Sequence, residues 1–499
     1  MRRHFPRFLT RISCLGVLAL GLAVAMTGAA AAEPPSVLTY HGHADRSGHF
    51  VVPGLTWARA RVLRLDLSFA PRFSGHLYAQ PLYWQPPGAA SGILYVVTEN
   101  DTVAAIDAAN GRALWRRRVG TPVPLAALPC GNIDPLGITG TPVIDPATGA
   151  IYFDAVSGAG GTMRHLIYAL SLRNGAVLPG WPVDVAAALA AQGQHFIARD
   201  QNQRGALAIL SGRVFVPYGG HFGDCGDYRG WVVGVSLGNP SDVVSWHTRA
   251  RGGGIWAPGG IASDGHSLTV VTGNTFGARR WSDGEAVIRL DSSLTRSDQP
   301  QDFFTPADWR TLDARDLDLG GSNPLLLDLP SGNSTQALAL AFGKDRRAYV
   351  LDRDDLGGIG GALAARTVAT RPIITAPAAW PAPGGALVAI EAHGRGCPSG
   401  NLTVLKITAG APPVITTAWC GALDGRGSPI VTTTNVGAEP IVWVLGAEGD
   451  GRLHGYQGDT GAPLYESAPL AGLRHFETLI AVPGRLYVGA DGRLYAFDY

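Results

Sequence analysis

The run Leu94-Tyr-Val-Val-Thr-Glu-Asn-Asp-Thr-Val-Ala-Ala-Ile-Asp107-Ala-Ala-Asn-Gly111-Arg-Ala-Leu-Trp115 decides the architecture. Two β-rich stretches meet at Glu99-Asn100-Asp101, and Asn110-Gly111 supplies the positive-φ residues of a second hairpin turn. The segment therefore reads as strand, turn, strand, turn, strand. Ala105, Asp107, Gly111 and Trp115 spell A-x-D-x-x-x-G-x-x-x-W. Asp107 is placed to cap the turn and Trp115 to lie against a neighbouring sheet.

The pattern recurs. Tyr168 to Gly175, ending at Trp181, is a second copy. Leu453 to Gly461, with Tyr465 near the Trp position, is a third, and Leu486 to Tyr499 is a truncated fourth. A period of roughly 40–50 residues with several short strands per unit is that of a propeller blade. Blades are expected at about 76–120, 138–185, 203–250, 253–305, 317–367, 373–420, 427–470 and 475–499. The last has room for three strands, and Val62 to Phe69 can supply its fourth, leaving no exposed sheet edge. The expected fold is all-β: a single eight-bladed β-propeller of four-stranded antiparallel blades, closed by N- and C-terminal strands. Its domains would be a signal peptide at 1–32, an N-terminal extension at 33–61 and the propeller at 62–499.

Composition agrees. The 67 glycines and 35 prolines among 499 residues suit many turns. Val185 to Gln192 is at most a short helix in a loop. Charged residues are 16% and the net charge is +1, so electrostatics gives no case for nucleic acid. Arg2, Arg3, Arg7 and Arg11 precede an apolar run from Cys14 to Thr27, and Ala29 to Ala32 offer cleavage sites. This predicts export to the periplasm or beyond, with no membrane span in the mature chain. Sec and Tat routes both stay open. Cys130, Cys225, Cys397 and Cys420 then remain, an even number suited to disulfides. Three pairings exist. Cys397 with Cys420 closes a loop within one blade, which leaves Cys130 with Cys225. No Cys-x-x-Cys-His occurs, so covalent haem is not indicated.

The repeats resemble those of pyrroloquinoline quinone (PQQ) propellers, the quinoprotein alcohol dehydrogenase-like family, in an exported bacterial branch. Thr39 to Gly48, Tyr78 to Tyr83, Leu136 to Asp145 and Gly343 to Arg353 carry the same resemblance. It implies PQQ and Ca²⁺ at the ring centre. Gly252-Gly-Gly-Ile-Trp256 and Val271-Thr-Gly-Asn274 are similar to the segments bearing the stacking Trp and an Asn calcium ligand. Asp318, in Asp318-Leu-Gly-Gly-Ser-Asn323, matches the catalytic base and a further metal ligand, and Lys344 matches a cation against the quinone oxygens. Arg204 stands at a blade entrance and could contact an anion.

The resemblance has gaps. The family's calcium-binding Glu lies four residues before an Arg-Gly pair. Here the pair is Arg229-Gly230 and that place holds Cys225, with Asp224 beside it as a substitute metal ligand. The adjacent cysteine pair that covers the quinone's other face is absent. Each residue also has a structural reading: Trp256 packed between blades, Asn274 in a turn, Asp318 capping a loop, Lys344 on the surface. His221, His393 and His475 are candidates to line the axis. Two function classes follow. One is a periplasmic PQQ- and Ca²⁺-dependent dehydrogenase of an alcohol or sugar, passing electrons to a separate acceptor. The other is a degenerate, non-catalytic propeller that binds a periplasmic protein as a scaffold. Convergence of Trp256, Asn274, Asp318 and Lys344 in one funnel favours the first.

Overall fold

The computed structural model describes residues 35–158, 162–331 and 334–499. The proposed signal peptide lies outside them. The described strands form eight sheets in chain order. Blade 1 comprises Leu82–Trp84, Ile93–Thr98, Thr102–Asp107 and Ala113–Arg118. Blades 2 to 7 run over 143–184, 208–247, 262–305, 325–367, 378–421 and 430–466. Blade 8 takes three strands from 479–498, and Arg64–Leu65 pairs antiparallel with its last strand, Arg64 opposite Asp498 and Leu65 opposite Phe497. The ring is thus closed by both ends of the propeller, as the sequence predicts.

Blade stacking explains why the strands are not simply alternating. Ile93–Thr98 is buried at five consecutive positions because a blade on each side covers both its faces. Tyr95, Val97, Val103 and Ala105 of blade 1 share one core with Ile151, Phe153, Ala155 and Tyr168 of blade 2. The outer strand Ala113–Arg118 is mostly exposed and carries three arginines. First strands touch between blades 3 and 4, 4 and 5, 6 and 7, and 7 and 8.

The A-x-D-x-x-x-G-x-x-x-W pattern proves to be one joint split between two repeats. Asp107 caps its turn by accepting from the Ala109 N–H at 2.9 Å. Trp115 crosses to blade 2, where its indole N–H donates to the Leu172 carbonyl at 3.0 Å. Its ring covers the repeat glycine of that blade, since a Cβ on Gly175 would stand 2.6 Å from it. Trp419 does the same to blade 7, donating to the Gly458 carbonyl at 2.7 Å and covering Gly461. Gly461 also holds φ +74°, so it meets both a steric and a backbone demand. Gly149 holds φ +65° with nothing near its missing Cβ. Gly461→Ala is therefore expected to cost about 1–3 kcal/mol more than Gly149→Ala, the overpacking share alone. Denaturant midpoints of the two variants check this, and equal losses would reject the joint.

The segment before the propeller is a strap across one end of the axis. Val37 and Tyr83 of blade 1 exchange two backbone hydrogen bonds. The carbonyls of Leu38, Ala44, Asp45, Ser47 and Gly48 accept from Ile144, Ser263, Leu326, Ala379 and Val431, in blades 2, 4, 5, 6 and 7. His49–Val51 then adds to blade 7 as a parallel strand. The gap at blade 3 is filled by Arg46, whose guanidinium donates to the Leu207 carbonyl at 2.8 Å. With Arg64–Leu65 in blade 8, residues 37–65 touch all eight blades. Tyr40 projects to the axis, buried between Ala206 and Ala376.

Two disulfides are present, Cys130–Cys225 and Cys397–Cys420. The short helix Val185–Ala190 starts at Asp184, which accepts from the Ala187 N–H at 3.1 Å. No described helix is long and apolar enough to cross a membrane.

Candidate active site on the propeller axis

Asp318 sits on the turn that enters blade 5 and is 3% exposed. One carboxylate oxygen accepts from the Asn274 N–H at 2.8 Å. The other is 2.7 Å from the Lys344 ammonium, which also donates to Asp316 at 2.7 Å. The Lys344 ammonium lies 5.5 Å from the centre of the Trp256 ring. Gly273 lets these groups meet: a Cβ there would stand 2.8 Å from Asp318 Oδ1 and 3.4 Å from Trp256 Nε1. Trp256, Asn274, Asp318 and Lys344 thus form one contiguous group. Burial raises the Asp318 pKa, against the pull of the Lys344 charge. Burial works against the Lys344 charge too, but Asp318 and Asp316 outweigh it and raise its pKa. For a pair in contact, the two shifts agree on an ionised lysine beside a carboxylate that is more basic than usual.

Arg204 heads a second group. Its guanidinium lies 4.7 Å from the Phe476 ring centre and 5.6 Å from that of Tyr78. It donates to His475 Nε2 at 2.9 Å, so His475 Nδ1 carries the proton and donates to Glu448 at 2.7 Å. Phe476 joins the groups, since its ring centre is 6.5 Å from that of Trp256. It holds φ +70°, rare for a bulky residue, and is pinned by hydrogen bonds to Arg426 and Ser428. Below, Tyr40, Tyr78, Thr139, Thr141, Arg204 and Phe476 bound a cavity of about 10 Å³, near the space one water needs.

The remaining candidates fall elsewhere. Asp224 spends an oxygen on the Tyr228 hydroxyl at 2.6 Å, and no hydrogen bond or ion pair joins it to Asn274 or Asp318. Of the three histidines, His475 lines the axial cavity, while His221 and His393 bond the carbonyls of Arg199 and Gly400. Sequence reasoning missed Asp316, Phe476 and Glu285. Glu285 is fully buried and accepts from the Leu319 N–H at 2.6 Å, bracing the turn that carries Asp318. Nothing in its local sequence marks that role.

Tested against the donors present, the two implied cofactors fare differently. An aromatic face at Trp256, cations at Lys344 and Arg204, and an Asn274 carboxamide with no hydrogen bond to the described residues suit a flat polyanion such as PQQ. Calcium does not fit. It takes six to eight oxygens, yet Cys225 is locked in a disulfide, Asp224 is engaged by Tyr228, and Asp318 already holds a cation. No group of three or more His, Cys, Asp or Glu suited to a metal occurs among the described residues.

Two buried carboxyls lie nearby, Glu99 close to Arg204 and Asp101 close to Glu99. Glu99 accepts from the Gly137 N–H at 2.7 Å, whereas the Asp101 oxygens accept no hydrogen bond from the described residues. Burial pushes Glu99 up to about 7 and Asp101 up to about 8. Both bind protons more tightly folded than unfolded, so stability falls as pH rises through these values. The buried His41 and His221 and the half-buried His49 are depressed to about 3, 4 and 4 by desolvation and oppose this only below their unfolded pKa near 6.5. Denaturation midpoints are therefore expected to drop from about pH 6.5 to about pH 9, and to drop less in Glu99→Gln/Asp101→Asn. A rising midpoint over that window would contradict the assignment.

Residues 59–213 match the family model PQQ_2, described as outer membrane protein assembly factor BamB. No curated protein matches the chain. Among solved structures, the quinohemoprotein alcohol dehydrogenase of Comamonas testosteroni is similar with a TM-score of 0.65 at 16% identity, covering 93% of this chain and 80% of that one. A europium-containing methanol dehydrogenase has a TM-score of 0.63 at 15% identity, covering 94% and 99%. BamB from Moraxella catarrhalis has a TM-score of 0.51 at 14% identity, covering 87% and 98%. At these identities the likeness establishes the fold. The fold is an eight-bladed β-propeller, and over residues 59–213 its sequence is similar to the PQQ_2 repeat model.

Proposed function

We propose that this chain is an exported, periplasmic quinoprotein-like oxidoreductase that oxidises an alcohol or sugar hydroxyl with PQQ on the propeller axis, without haem. The observation that carries the reading is the contact group of Asp318, Lys344, Asn274 and Trp256. PQQ, when bound, supplies a two-electron acceptor for the carbinol hydride. Trp256 offers it an apolar face. Lys344 and Arg204 offer positive charge to its oxygens, and the Asn274 carboxamide offers a donor and an acceptor. Asp318 takes the hydroxyl proton of the substrate. Its burial makes it a stronger base than a surface carboxylate, and the Asn274 N–H and Lys344 fix its orientation. A separate protein would reoxidise the site. The leader at 1–32 and the two disulfides support export.

A second reading has its own support. The match of 59–213 to the BamB family model, and an axial cavity of only about 10 Å³, favour a non-catalytic periplasmic scaffold. Titrating the purified mature protein with PQQ while following Trp fluorescence separates the two. Quenching at micromolar PQQ that is lost in Trp256→Ala supports the oxidoreductase and calls for an alcohol and sugar screen with an artificial acceptor. No binding rejects it in favour of the scaffold.

A further inference from the structure

We infer that Lys344 is the fixed cation of the axial site, standing in the electrostatic place of a divalent metal, so that the site takes an anionic quinone without calcium. This rests on the oxidoreductase reading. Three observations carry it. First, the position where the resemblance calls for a metal-binding Glu is Cys225, bonded to Cys130. A disulfide sulfur is no ligand for a hard cation. Second, the Asp318 oxygen that could bind a metal is 2.7 Å from the Lys344 ammonium. A divalent ion on that oxygen would sit against a like charge. Third, the ammonium is held in place. Asp316 and Asp318 engage two of its three N–H groups, each at 2.7 Å, and the Trp256 ring lies alongside. One N–H remains for a ligand oxygen.

The chemistry is consistent with this placement. PQQ, if bound, would accept the hydride of an alcohol whose hydroxyl proton goes to Asp318, and negative charge would grow on its oxygens. A preorganised ammonium stabilises that charge as a metal would. The carboxylate and the cation are then two halves of one device. Asp318 and Asp316 keep Lys344 charged, and Lys344 keeps Asp318 ionised and aimed.

The test uses the full mature protein in two measurements. Calcium alone is titrated calorimetrically into chelator-treated protein, and PQQ is titrated fluorimetrically with chelator and with added Ca²⁺. The expected result is no stoichiometric calcium binding and a PQQ Kd that differs by less than about twofold between the two conditions, well inside the factor of ten that 1.4 kcal/mol represents. Lys344→Met should weaken PQQ at least about tenfold, the loss of one charge-assisted hydrogen bond, and Lys344→Arg should recover part of it. A stoichiometric calcium site, or PQQ binding only with Ca²⁺, overturns the inference and leaves the oxidoreductase reading standing. No PQQ binding in either condition overturns both. The calcium titration needs no variant, so a misfolded Lys344→Met leaves a decisive measurement.

Discussion

Arg46→Met is expected to lower the stability of the whole propeller by about 3–5 kcal/mol, the low end of what three unsatisfied buried carbonyls cost. Arg46 is fully buried. Its guanidinium donates to the Ile261 and Leu207 carbonyls at 2.8 Å each, to the Tyr40 carbonyl at 3.1 Å and to the Thr39 hydroxyl at 2.7 Å. Among the described residues no carboxylate forms an ion pair with it; carbonyl dipoles from the strap and from the residues just before blades 3 and 4 carry its charge. Burial depresses its pKa to about 10, so it stays ionised at neutral pH. Methionine would refill the stem but leave three carbonyls without a donor. Each unsatisfied buried acceptor costs about 1–3 kcal/mol. Water reaching the site would offset part of that sum. Against a total stability of about 5–15 kcal/mol the loss is large. Lysine should fall between, because a point charge cannot reach carbonyls that a planar fork spans. Guanidinium unfolding of the three proteins reads the effect. A methionine variant within about 1 kcal/mol of the parent would show that the strap does not hold the ring together.

That prediction rests on a feature the sequence does not display. Blades were legible because their signals are local. Asn110-Gly111 and Thr460-Gly461 mark turns, the run from Leu94 marks a strand, and Trp115 marks the edge of a repeat. Ring closure was legible because blade 8 lacked a strand and Val62 to Phe69 could supply one. The strap was not legible, and 33–61 reads as a mere extension. Its hydrogen bonds come from backbone carbonyls, which any residue has, and its partners lie up to hundreds of positions away, as Gly48 with Val431 shows. Arg46 looks like an ordinary loop arginine until its partners are seen.

The candidate site divides the same way. Trp256, Asn274, Asp318 and Lys344 were legible through spacing that resembles a known family, and they meet in space. Asp224 as a metal ligand came from the same spacing, but its carboxylate serves Tyr228. The pairing Cys130–Cys225 was one of three that four cysteines allow, chosen once Cys397 was joined to Cys420, and the structure has it. Its consequence for a metal was not legible, because that needs the positions of Asp318 and Lys344 as well. Phe476 and Glu285 carry no motif; a left-handed backbone and a buried carboxylate under a turn appear only in three dimensions.

Asp318→Asn is expected to cut turnover of the PQQ-loaded protein about 10²–10⁴-fold, the usual contribution of a general base. The substitution keeps size and shape. An Asn carboxamide oxygen can still accept from the Asn274 N–H, now 2.8 Å from Asp318 Oδ1. Its NH₂ would then face Lys344, donor against donor, and Lys344 would turn wholly to Asp316, which it already touches. The lysine is therefore not stranded, and the fold should survive with a loss of about 1–3 kcal/mol. A structural role and a catalytic one differ in what else moves. Because burial raises the Asp318 pKa, the parent's kcat should climb with pH above the ordinary carboxylate range and then level as the base form fills. The variant should lose that limb and keep its KM within a few fold, since the hydroxyl of the substrate still meets a hydrogen-bonding partner. Rates measured with an artificial acceptor across about pH 4–8 give both quantities. A variant that keeps the rising limb, or loses only KM, would place the base elsewhere and leave Asp318 as the brace that positions Lys344.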